Sequence, residues 1–64
     1  MFDSMELKNQ MALQGIGLKA LSEKSEVSID TLMRILNHGR RPTMVTVGKI
    51  ASALGIEPKK LLKE

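Results

Sequence analysis

Two short amphipathic segments, Leu18 to Ser25 and Ile29 to Asn37, are joined by only about three or four residues, and this limits the folds open to the chain more than any other feature. Helices so joined must cross at a steep angle. Gly17 can cap the first, in which Leu18, Leu21, Ser22 and Ser25 fall on one face. Ser28 is a better cap for the second, whose inward side is Leu32, Ile35 and Leu36. Val27 is placed to plug the corner, and the small side chain of Ser22 lets the pair approach at the elbow. This is a helix-turn-helix spacing.

The rest of the chain also reads as helix, giving an all-α, compact five-helix expectation for a single domain over residues 1–64. The first helix starts at Asp3, with Asp3 and Glu6 in capping-box spacing and Phe2 set to staple onto Leu7, and it ends before Gly15. Its apolar stripe is weak, mainly Leu7 and Met11, with Met5, Ala12 and Leu13 pointing elsewhere. After Asn37, the segment His38-Gly39-Arg40-Arg41-Pro42 forms a basic loop, because Gly39 loosens the backbone and Pro42 biases Arg41 to an extended conformation. Thr43 caps a fourth helix with Met44, Val47, Ile50, Ala51 and Leu54 as its buried stripe, and Gly55 stops it in a left-handed conformation. Pro58 favours a fifth helix starting near Glu57, with Leu61 and Leu62 turned back onto the core.

Composition narrows the function classes. A chain of 64 residues has room for one small domain, not for separate cofactor and substrate domains. Without cysteine there are no disulfides, thiolate chemistry or cysteine-based zinc sites, which fits a reducing cytoplasm. The single histidine has no partner for a metal centre, and no apolar run reaches the roughly 18 residues of a membrane span. Neither a signal peptide, a glycine-rich phosphate loop nor a set of nucleophile, base and oxyanion donor can be read. The expectation is a non-enzymatic cytoplasmic protein with no cofactor, metal or membrane partner.

Charge is segregated along the chain. Residues 1–30 hold five acids and three bases, whereas residues 31–56 hold Arg34, Arg40, Arg41 and Lys49 with no acid. Such a stretch suits a polyanion, although a solvated face would look the same by charge alone. The third helix adds chemistry to the charge. With Leu32 at the centre of its buried face, Asp30, Arg34 and Asn37 lie on the opposite side, flanked by Thr31 and Met33, with Ile29 near the start. A helix about 14 Å long, anchored through one face, fits the DNA major groove. There Arg34 can donate two bonds to guanine, Asp30 can accept from cytosine N4, and Ile29 or Met33 can touch a thymine methyl. The same spacing of Asp30 and Arg34 also suits an ordinary surface ion pair.

Taken together, GIGLKALSEKSEVSIDTLMRILNHGRRPTMVTVGKIASALGIEPKKLL resembles the Cro/C1-type helix-turn-helix family, the lambda-repressor-like domains of phage and bacterial regulators. The resemblance rests on Leu21, Ser22, Val27, Ser28, Leu32 and Ile35 in LKALSEKSEVSIDTLMRI, followed in order by RRPTMVTVGKIASALGIEPKKLL. It implies a third helix in the major groove, with Ile29, Asp30 and Arg34 reading bases and Thr31 and Met33 as additions. It implies phosphate contacts from Lys19, Ser28, Asn37, His38, Arg40, Arg41 and Thr43. In two places the chain departs from the family pattern: Glu26 stands at a turn position usually held by glycine, and Leu18 where many members carry a glutamine. Glu26 must therefore adopt a left-handed backbone or reshape the turn.

The resemblance implies a bacterial or phage transcription regulator of double-stranded DNA, more in the manner of a repressor. One helix offers few base contacts, so a homodimer on a near-palindromic site is expected. Ile56, Leu61 and Leu62 are the first candidates for the dimer surface, and the stray apolar side of the first helix is the second. The competing class is a protein-interaction module, such as an antitoxin or adaptor, on the same fold.

Overall fold

The computed structural model describes residues 1–63; Glu64, the last position of the expected domain, lies outside the described residues. Four α-helices and one short 3-10 turn fold into a body of 28 × 21 × 19 Å. The helices are α1 (Ser4–Gln14), α2 (Leu18–Ser25), α3 (Ile29–Asn37) and α4 (Met44–Leu54), and the 3-10 turn spans Pro58–Leu61. The expected fifth helix is thus a single turn of four residues. Proline starts it, but only Leu61 within it is buried, and Leu62 is already extended. A lone turn fixes several dihedral angles for one hydrogen bond, so the chain leaves helical geometry once Leu61 is seated.

Helix ends follow the local chemistry of the sequence. Ser28 and Thr43 accept hydrogen bonds from the amides of Thr31 and Thr46, capping α3 and α4. At Gly55 (φ 69°), the amides of Gly55 and Ile56 return to the carbonyls of Ser52 and Ala51, a Schellman closure that needs the left-handed backbone glycine tolerates. The capping box of α1 is only half made. Asp3 accepts from the Glu6 amide, but the Glu6 carboxylate accepts from Gln10 Nε2 at 2.8 Å instead of turning back. The Asp3 amide is committed elsewhere, donating to the Leu61 carbonyl, and Phe2 pairs with Leu62 in an isolated antiparallel bridge. The two ends of the described chain are thereby clasped by main-chain bonds.

Leu7, Leu21, Leu32, Ile35, Val47, Ile50 and Leu61 are fully buried and form the core with Val27, Ala51 and Leu54. Every element contributes, and α4 packs against α2, the 3-10 turn and α1. Met44, expected on the buried stripe of α4, is instead 68% exposed. It is the first residue of its helix, where side chains lean back toward the N-terminus and so off the end of the core. Burial of Leu61 likewise removes it from the expected dimer surface, while Ile56 and Leu62 remain half-buried.

Candidate nucleic-acid interface

The elbow between α2 and α3 is fastened by hydroxyls. Ser22 Oγ donates to the Val27 carbonyl at 2.6 Å, and the Val27 amide donates to the nearly buried Ser25 Oγ at 3.2 Å. Val27 itself is buried, so the corner is pinned by both packing and polar contacts. Glu26 takes the left-handed conformation required of it, φ 62° and ψ 25°, and its amide closes α2 on the Ser22 carbonyl. The turn therefore keeps its geometry without glycine, at a strain of about 1 kcal/mol.

With Leu32 and Ile35 anchored inward, α3 presents Ile29, Asp30, Met33, Arg34 and Asn37 to solvent. Arg34 Nε lies 3.0 Å from Asp30 Oδ2, and both side chains are more than half exposed. Thr31 is only half-exposed, and its Oγ1 accepts from Ser28 Oγ at 2.8 Å, so this hydroxyl is occupied in stiffening the helix start. Ile29 and Met33, one turn apart, are 40% and 42% exposed on the same flank of the polar ridge.

The basic loop is wound back onto this ridge. The amides of His38 and Arg40 both donate to the carbonyl of Arg34, at 3.0 and 3.2 Å, with Gly39 (φ 67°) making the reversal. A shallow depression results, lined by Asp30, Met33, Arg34, His38 and Arg40. Arg41 lines two further depressions that both include Met1 and Phe2, one with Pro42 and Met44, the other with Ile35, Gly39 and also Arg40. Adjacent arginines that look equivalent in sequence thus differ in reach: Arg40 borders both the outer face of α3 and the clasped termini, whereas Arg41 borders the termini alone.

Lys19, in the first turn of α2, and Ser28 and Thr43, at the starts of α3 and α4, are exposed, as are Asn37 and His38. Helix starts present unpaired amides and positive dipole ends, the arrangement that receives phosphate. Among the described residues no helix is long and apolar enough to cross a membrane, and no three His, Cys, Asp or Glu side chains gather as a metal site.

Residues 6–63 match the family model for the Cro/C1-type HTH DNA-binding domain. The chain belongs to this family. That membership places the Cro/C1-type domain among DNA-binding transcription regulators, in agreement with a helix-turn-helix whose second helix keeps its outer face exposed. Among solved structures, the domain is similar to the restriction-modification controller protein C.AhdI from Aeromonas hydrophila. The TM-score is 0.86 at 24% identity, over 92% of this chain and 89% of that one. At that identity the likeness concerns the fold. No curated protein matched.

Proposed function

We propose that this Cro/C1-type domain is a sequence-specific repressor that acts as a homodimer, each copy laying α3 in the major groove of one half of a near-palindromic duplex. The observation that carries this reading is the polar outer face of α3, held outward by the burial of Leu32 and Ile35. Arg34 is the main base reader, with Ile29, Asp30, Thr31 and Met33 beside it. Lys19, Ser28, Asn37, His38, Arg40, Arg41 and Thr43 contact phosphates on the two sides of the groove. The protein works by binding, without catalysis, in the cytoplasm of a bacterium or phage-infected cell. C.AhdI, similar in fold, is a restriction-modification controller protein, which is in keeping with a regulator.

Selection of bound duplexes from a random pool tests the reading. A symmetric consensus is expected, with affinity for it falling steeply between low and physiological salt. A second reading, an interaction module for a protein partner, draws on the partial exposure of Ile29 and Met33 beside the ridge. Salt-insensitive, weak binding with no enriched sequence would favour that reading and overturn the repressor.

A further inference from the structure

The contact between Asp30 and Arg34 admits a more specific role than a surface ion pair. An exposed pair four residues apart on one helix adds little to stability, so the contact is not explained by holding α3 together. Its geometry is selective, however. Asp30 Oδ2 is within 3.0 Å of Arg34 Nε, the nitrogen nearest the side-chain stem, which leaves the two terminal nitrogens of the guanidinium outside that bond. Those two form the fork that matches guanine O6 and N7. An unrestrained arginine at this position could reach a phosphate as readily as a base. The carboxylate removes rotamers from that choice and also places a negative charge on the ridge, which disfavours close approach of phosphates.

We propose that Asp30 is a positioning residue which, by holding Nε of Arg34, presents the arginine fork to a guanine and reads no base of its own. This rests on the groove reading above. It replaces the base-reading role that the sequence suggested for Asp30 and that the groove reading kept, in which its carboxylate accepts from cytosine N4. The backbone beneath the pair is also fixed, because the Arg34 carbonyl accepts from both the His38 and Arg40 amides. Movement of the fork is thus left mainly to the side chain that Asp30 restrains.

The test measures affinity of the full chain and its variants for three duplexes: the selected consensus, the consensus with its Arg34-dependent guanine replaced by adenine, and random sequence. Arg34→Ala identifies that guanine as the position where preference vanishes. Asp30→Ala is expected to lower the guanine-over-adenine preference by about threefold to tenfold while affinity for random duplex holds or rises. Asp30→Asn, which keeps an acceptor oxygen, should retain part of the preference. Adding Asp30→Ala to Arg34→Ala should cost no further discrimination. Unchanged preference in Asp30→Ala, or loss of preference at a different base pair in the Arg34→Ala background, overturns the positioning role while leaving groove reading intact. If the wild-type chain shows no preference among duplexes, groove reading and the positioning role fall together.

Discussion

Helices α1 and α3 are close in length and lie against one another, yet they are held in place by different means. Helix α3 has a buried stripe, Leu32 and Ile35, and an opposite face that is polar and exposed. Helix α1 has one fully buried side chain, Leu7, and apolar residues on several sides, with Met5 and Leu13 in solvent. It is secured at its ends instead. The Asp3 amide bonds the Leu61 carbonyl at one end, and Gln14 Nε2 donates to the Leu54 carbonyl at 2.7 Å at the other. A helix fastened through a single face leaves its other face free for a ligand, whereas one fastened at its ends and a single side chain serves mainly to close the core.

Substitutions can break or sharpen this contrast. The largest effect is expected for Leu7→Ala, which removes the only fully buried side chain of α1 and should lower unfolding stability by about 2–5 kcal/mol. Chemical denaturation checks it, and a loss below about 1 kcal/mol would mean that the end contacts alone hold α1. At the α2–α3 elbow, Glu26→Gly relieves the positive φ and should stabilise the domain by about 1 kcal/mol, with the far-ultraviolet circular dichroism unchanged. Destabilisation there would show that Glu26 contributes something beyond its backbone.

Arg40→Ala and Arg41→Ala compare the arginine of the basic loop that borders α3 with the one that does not. Arg40→Ala should flatten the logarithmic dependence of DNA affinity on salt by about 0.9, the value for one phosphate contact. Arg41→Ala is also expected to weaken binding on all duplexes, with a smaller change of slope, since Arg41, unlike Arg40, does not border the outer face of α3. The reverse order would place the backbone on the side of the clasped termini. The smallest effects belong to the outer side of α1: Met5→Gln and Leu13→Gln should each alter stability by less than about 0.5 kcal/mol and leave DNA affinity unchanged. A marked shift of oligomeric state in either variant would make this side the dimer surface.

Features governed by neighbouring residues were legible in the sequence. Ser28 and Thr43 cap because a hydroxyl lies within reach of an amide three residues on, and the inner face of α3 follows from helical periodicity. For Glu26 the family pattern left two options, a left-handed backbone or a reshaped turn, and the structure takes the first. Features that depend on distant chain segments were not. The bonds joining Asp3 to Leu61 and Lys63 to Met1 are between main-chain atoms, so no side-chain pattern marks them. Their pull on Leu62 helps explain why a proline-led start becomes one 3-10 turn and not a helix. Met44 was misplaced because periodicity alone cannot tell that a helix begins before the core does. At the site, the ridge of α3 could be read, but the approach of Arg40 to it could not, because no side-chain pattern marks the main-chain return of the loop to the Arg34 carbonyl.

Which helix meets the duplex is measured directly by backbone amide shifts followed during titration with the selected DNA. The largest shifts are expected in residues 29–34 and 37–43 and at Lys19, with Met5 and Leu13 unmoved. Shifts centred on the outer side of α1, with those of Asp30 and Arg34 unchanged, would contradict groove reading by α3.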